Sequence, residues 1–254
     1  MNETSDKPIV ERASSRPLKT DPPKPIVMEM RGVTYEDRSA ASIALHDADL
    51  VVREGELAMI HLGWFQKARR LASLMQGLHR PLQGEVRFQA QDWLGDDYDR
   101  HFSMRNRIGR VFEDQAWIEN INVAANVTLA SRHHGVTKQE VIADVRHWGA
   151  DFGVAELIQE RPAFVHPSLL QRHQWVRAFL GKPVLLLLER PLKSASTAEA
   201  SMLLRAVNSI RKEGTAVVWF TSSIDDLAKI LEPPISHYEI KDGELLPIEG
   251  GKQR

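Results

Sequence analysis

Lys67, Arg69 and Arg70 crowd into four positions at the start of a segment with helical spacing. Unpaired N–H groups and the helix dipole make helix starts attractive to anions, so this cluster could in principle hold a phosphate or carboxylate. The turn leading into it, LGWFQ (Leu62, Gly63, Trp64, Phe65, Gln66), carries one glycine among bulky side chains, so no flexible backbone cradle accompanies the charges. A solvated basic face or a contact to an acidic partner is the simpler reading. A second charged pair, Glu189-Arg190, ends the apolar run VLLLL (Val184 to Leu188). A guanidinium stays protonated and cannot serve as a base, so Arg190 is read as the partner of an acidic neighbour. His133-His134 is a possible metal pair, but adjacent side chains diverge on a helix and no carboxylate sits at ligand spacing, so both are assigned to the surface. With no cysteine in the chain, disulfides, thiolate metal sites and cysteine nucleophiles are excluded.

These residues must be carried by regular elements, and the apolar pattern indicates which. Alternation begins at Val27, and Leu57 to Ile60 forms a second short apolar run after Gly55-Glu56. Leu71, Leu74, Met75 and Leu78 recur at helical spacing, predicting a helix from about Lys67 to Leu78 that Gly77 and Pro81 end. A strand at Glu85 to Phe88 follows Gly84. Thr137 and Glu140 have capping-box spacing ahead of a stripe of Val141, Val145, Trp148 and Phe152. Further helices are expected over Leu169 to Leu180 and Ala198 to Lys212. VLLLL and AVVWF (Ala216 to Phe220) read as buried strands, VLLLL the more deeply, and Asp242-Gly243 marks a hairpin. Strands alternating with helices predict an α/β fold with a mostly parallel sheet. The stretch from about 117 to 175 has no convincing buried strand and reads as a helical insertion in a single domain spanning 26–254. Trp93, Trp117, Trp148, Trp175 and Trp219 are assigned to core or interface.

The chain of 254 residues is long enough for a substantial core. Its 33 basic and 34 acidic residues leave a formal charge of -1, which offers no general attraction to nucleic acid or anionic lipid. No apolar run approaches the roughly 20 residues that span a bilayer. Residues 1–25 are polar and proline-punctuated with no apolar middle, which predicts a disordered leader rather than a signal peptide. A soluble, cytoplasmic protein is expected.

In order along the chain, four segments carry a likeness. GELAMIHLGWFQKARRLASLMQGLHRPLQGEV (Gly55 to Val86), IGRVFEDQAWIENINVAANV (Ile108 to Val127), QRHQWVRAFLGKPVLLLLERP (Gln171 to Pro191) and AVVWFTSS (Ala216 to Ser223) together resemble the ATPase domain of ABC transporters. The resemblance covers roughly Val27 to Pro247. It implies a P-loop NTPase fold with an N-terminal antiparallel β part and a helical subdomain. QAQDWL (Gln89 to Leu94) is similar to the ATPase subunits of bacterial lipid-trafficking importers.

Carried over by position, the resemblance also implies that the chemistry is missing. The family's three phosphate-loop glycines fall on Leu62, Phe65 and Lys67, its lysine on Ala68, and its hydroxyls on Arg69 and Arg70. Shifting by one residue would put Lys67 at the lysine position but leave Gln66 and His61 in place of glycines. Glu113 stands at the Q-loop glutamine. Val165, His166, Pro167, Ser168 and Leu169 stand at the signature, where Pro167 lacks even an N–H. Glu189 takes the Mg²⁺-supporting aspartate position and Arg190 that of the water-polarising glutamate. Ser196 falls at the D-loop aspartate, Ser222 at the switch histidine and Asp37 at the adenine-stacking aromatic, with Tyr35 read as core-facing. Trp64 either fills the vacated pocket or makes an exposed contact. The implied protein is a non-hydrolysing structural or regulatory subunit that needs no cofactor. It would bind an ABC permease subunit, another ABC ATPase domain or both, as a homo- or heterodimer, peripheral to the membrane and without nucleic acid. The alternative is an ATP- and Mg²⁺-binding subunit that uses unorthodox residues.

Overall fold

A computed structural model describes residues 22–36, 43–222 and 230–248. The expected leader lies almost wholly outside the described residues, as does Asp37. The elements in chain order are β1 (Ile26–Glu36), β2 (Ala44–Arg53), β3 (Leu57–His61), α1 (Ala68–Met75), β4 (Gln83–Phe88), β5 (Gln91–Asp92), α2 (Tyr98–Asn106) and β6 (Ile108–Val111). They continue with α3 (Val123–His133), α4 (Lys138–Asp151), α5 (Pro167–Phe179), β7 (Leu185–Glu189), α6 (Thr197–Lys212), β8 (Ala216–Thr221), β9 (Ile235–Lys241) and β10 (Glu244–Pro247).

Two sheets organise the chain. An antiparallel sheet runs β2-β1-β4-β5, and a second runs β10-β9-β3-β8-β7-β6. Every pairing in the second sheet is parallel except the β9–β10 hairpin. All five residues of β7 are buried, as a strand covered on both faces requires. Leu185 and Leu187 pack into the core beneath α1, whereas Leu186 and Leu188 pack into the core shared with α5 and α6. The Asp242-Gly243 turn has both residues at positive φ, 52° and 87°, the backbone that a two-residue hairpin demands.

Helix ends set the positions of charged groups. The first helix stops at Met75 rather than Leu78, because Gly77 (φ 65°) lies against Trp93, where a Cβ would come within 2.2 Å of the indole. The fifth begins two residues before the expected Leu169, with Pro167 in its first turn and the His166 ring accepting from Ser168 N–H at 3.3 Å. Proline preorganises the first helical position, and that signal was available in the sequence. Thr137 and Glu140 form the capping box expected of them, and Ser196 and Glu199 form a second at α6. Between β6 and β7 the chain has helices and no strand.

Glu199 also pairs with Arg172 of α5 at 3.3 Å, so the α6 cap joins two helices. The backbone N–H of Ser196 holds the Glu199 carboxyl below its ordinary pKa, with the Ser196 hydroxyl and Arg172 adding to the effect. A depressed folded-state pKa stabilises above the unfolded value and is lost as pH falls through the folded one. Ser196→Ala should therefore cost about 1 kcal/mol near neutral pH by urea denaturation. The deficit of Glu199→Gln relative to the parent should shrink as the solution is acidified through the carboxylate range.

Candidate functional site

The C-terminal ends of β3, β7 and β8 converge where open α/β sheets usually place ligands. Leu62 follows β3 with its side chain buried and its N–H donating to Thr221 O at 2.8 Å. The next peptide unit is consumed internally. Gly63 N–H donates to Gln66 Oε1 at 2.7 Å, and Gly63 O accepts from Gln66 N–H at 3.0 Å and from Arg190 Nη2 at 3.1 Å. No residue from Leu62 to Lys67 has positive φ. An anion-cradling nest needs alternating left- and right-handed residues, so this turn does not form one. Trp64 and Phe65 point outward, 81% and 84% exposed, and Trp64 therefore does not fill the site as a core side chain would. Ala68, at the lysine position, is fully buried.

Beneath the turn lies a buried ion pair that the motif reading missed. Arg110 is the third residue of β6 and Glu189 the last of neighbouring β7, and Arg110 Nε donates to Glu189 Oε1 at 2.6 Å. Nη1 donates to Gln76 Oε1 at 2.8 Å and to Ser73 Oγ at 3.2 Å, while Nη2 donates to Arg69 O at 2.9 Å and to Ser73 Oγ at 3.2 Å. Five contacts match the five N–H donors of a guanidinium. The two side chains are 4% and 1% exposed, so the pair is fully desolvated. Burial pushes the Glu189 carboxyl up and the Arg110 guanidinium down from their ordinary values, and their mutual attraction opposes both shifts. A charged residue inside the apolar run IGRVF was the available sequence signal.

Glu113 is the second hub. Its Oε1 meets Arg190 Nη1 at 3.1 Å and both Lys67 Nζ and Lys193 Nζ at 3.6 Å, and its backbone N–H reaches Glu189 Oε2 at 3.4 Å. The acidic neighbour expected of Arg190 is thus Glu113, and Arg190 also clamps the carbonyl of Gly63. Arg190 itself sits at φ 41°, a left-handed backbone sparsely used by non-glycine residues. The turn after Glu113 is held by Arg177, which donates to Gln115 O at 2.8 Å and Ala116 O at 3.1 Å.

The remaining positions stand apart from these hubs. Val165 to Leu169 lie at the start of α5, where Pro167 O accepts from Gln115 Nε2 at 3.4 Å. Ser196 serves as a helix cap, and Ser222 is exposed just past β8. Tyr35 is buried in the core, with its ring 6.2 Å from that of His79. The His133 and His134 rings pack on Phe102, at 5.1 and 4.0 Å between centroids, and no group of three or more potential ligands forms a metal site among the described residues. No described helix is long and apolar enough to cross a membrane.

No protein-family model matches the chain. An uncharacterized ABC transporter ATP-binding protein of Alkalihalophilus pseudofirmus is 25% identical over 159 residues, 63% of this chain and 57% of that protein. The macrolide export ATP-binding/permease protein MacB of Azoarcus is 23% identical over 227 residues, 88% of this chain and 34% of that protein. The methionine import ATP-binding protein MetN of Latilactobacillus sakei is 24% identical over 203 residues, 79% of this chain and 59% of that protein. The chain thus spans between 34% and 59% of the length of these three relatives. Among solved structures, the ATP-binding subunit of an ABC transporter aligns with a TM-score of 0.74 at 17% identity, over 86% of this chain and 88% of that one. The dimeric ATP-binding cassette MJ0796 in a post-hydrolysis state, bound to ADP and Pi, aligns with a TM-score of 0.74 at 20% identity, over 86% and 96%. The fold is that of an ABC ATPase cassette, and the homologues and structural neighbours are ABC-transporter ATP-binding proteins.

Breaking the buried pair on one side strands a charge. Arg110→Met should lower the unfolding free energy by about 3–5 kcal/mol, whereas Arg110→Met combined with Glu189→Leu should regain most of the loss. Urea midpoints at constant m-value provide the measurement, and a single-variant loss below about 1 kcal/mol would contradict full desolvation of the pair.

Proposed function

We propose that this chain is a non-hydrolysing homologue of the ABC-transporter ATP-binding subunits, acting as a structural or regulatory subunit of an ABC transport complex. The observation that carries the reading is the closed ion-pair lattice of Arg110–Glu189 and Arg190–Glu113. It occupies the positions where relatives of this fold would direct oxygen ligands at magnesium and water.

Magnesium triphosphate does not fit the residues present. Glu189, the metal-supporting position, is already engaged by Arg110 at 2.6 Å. Glu113, the other candidate ligand, is surrounded by three cations. Two unit charges at about 4 Å repel by about 4 kcal/mol at an effective dielectric near 20, and a dication doubles that against each cation. Gly63 N–H is spent on Gln66 rather than left for a phosphate. Arg190 cannot take a proton from water, and the group it displaces typically contributes about 10²–10⁴-fold in general-base catalysis.

The remaining role is that of the fold as a binding partner. A permease subunit, another ABC ATPase domain, or both would engage the chain, holding it beside the membrane, and pairing of two cassettes would give a homo- or heterodimer. A balanced net charge of -1 argues against nucleic acid as the partner. One feature favours the alternative of ATP binding through unorthodox residues: no side chain caps α1, whose first turn holds no acid. A lone anion would be tolerated there.

Calorimetry with Mg-ATP separates the readings, with no saturable heat and no turnover above a protein-free control as the expected result. Saturable binding with turnover that Arg190→Ala abolishes would overturn the proposal. Purification from the native host should bring a permease or second cassette along, and a strictly monomeric, partnerless chain would count against a subunit role.

A further inference from the structure

Beside the lattice, on the face of the second sheet that packs against α6, lies a cavity of about 430 Å³. That is within the range of small-molecule sites. Its described floor is apolar, formed by Met59, Leu204, Trp219 and Leu231, each below a tenth exposed. Its rim is charged: Lys67, Arg190 and Lys193 line it together with Glu113. All three cations share Glu113 Oε1 and Lys193 also reaches Asp114 Oδ1 at 3.9 Å, so three cations face two carboxylates and the mouth keeps one positive charge in excess.

Two residues of the lining carry buried atoms without a partner. Glu113 is 6% exposed at its side chain, yet its Oε2 has no hydrogen-bond partner among the described residues, and neither does Arg190 Nε. Both atoms are closed to solvent, so recognition of a ligand falls to the rim cations that stay exposed. Lys67 and Lys193 are about half exposed, which leaves the rim open to solvent.

We propose that this cavity binds a small amphipathic anion, its apolar body on the Met59, Leu204, Trp219 and Leu231 floor and its anionic head against Lys67 and Lys193, with the engaged Arg190 adding its charge from behind them. The site rests on the reading that no nucleotide occupies the neighbouring turn, because a bound triphosphate would compete for Lys67 and Arg190. An apolar floor supplies affinity without strong selection, and the rim chooses the sign of the head group.

Decanoate, used well below its aggregation concentration, is the probe, with decanol and decylamine as controls in calorimetric titration of the full chain. Saturable binding of one decanoate per chain is expected, with both controls at least about tenfold weaker. Lys193 is surface-exposed, so Lys193→Glu should fold normally and weaken decanoate about tenfold while leaving decanol unchanged. Leu231→Trp, checked for folding by circular dichroism, should weaken decanoate and decanol alike by filling the floor. No saturable decanoate binding, equal affinity for decanol, or indifference to Lys193→Glu would each overturn the proposal. A parallel Mg-ATP titration keeps the two ideas apart. ATP that binds, displaces decanoate and is turned over would remove the non-hydrolysing reading yet leave the cavity occupied as proposed, whereas failure of decanoate with ATP also silent would sink only the cavity.

Discussion

The Arg110–Glu189 pair is the constraint on which the arrangement of this end of the molecule depends. A guanidinium and a carboxylate buried together cost several kilocalories per mole in lost hydration, repaid only when geometry is close and every remaining donor is used. Here the donors reach Glu189, Gln76, Ser73 and the carbonyl of Arg69, so one side chain joins β6, β7 and α1. Neighbouring parallel strands would otherwise be free to accept α1 at several depths. The pair selects one, and with it the path of the turn that precedes the helix. Replacing such a pair with apolar groups is often neutral or favourable, so its value lies in fixing this arrangement more than in net stability.

From that anchor the second hub follows. Glu189 Oε2 reaches the backbone N–H of Glu113, placing the Glu113 carboxylate at the strand ends where Arg190, Lys67 and Lys193 converge. Arg177, on α5, holds the carbonyls of Gln115 and Ala116, both at positive φ, so the segment after Glu113 is braced from the helical side as well. Arg190 then closes the circuit by gripping Gly63 O from a left-handed backbone of its own. Strain of this kind persists only where the surroundings over-determine it, and two hydrogen bonds from one guanidinium do so.

Much of this was legible in the sequence because backbone periodicity carries its own physics. VLLLL reads as the most buried strand, Thr137 with Glu140 as a capping box and Asp242-Gly243 as a hairpin; the structure has the box, the hairpin and a buried strand at Leu185–Glu189, though Val184 is half-buried and AVVWF is buried throughout. What escaped was nonlocal. Arg110 is only a charge inside an apolar run until a strand 79 positions away delivers Glu189 beside it. Glu113 similarly gains meaning only when Lys67, Arg190 and Lys193 arrive from three other segments. Two boundary errors had local causes: Gly77, left-handed at φ 65°, ends α1 short of Leu78, and Pro167 starts α5 early. Both residue types are signals that the sequence itself carries.

A site built to receive an anion must leave its donors unspent until the anion arrives, and the turn after β3 does the opposite. Gly63 N–H is bonded to Gln66, Arg110 has spent all five donors, and both terminal nitrogens of Arg190 are engaged. Two buried polar atoms, Glu113 Oε2 and Arg190 Nε, are left without a hydrogen-bond partner among the described residues. The cations gathered at the strand ends need an internal counterion, and Glu113 supplies it. Glu113 and Asp114 together cannot neutralise Lys67, Arg190 and Lys193, and the rim is left net positive.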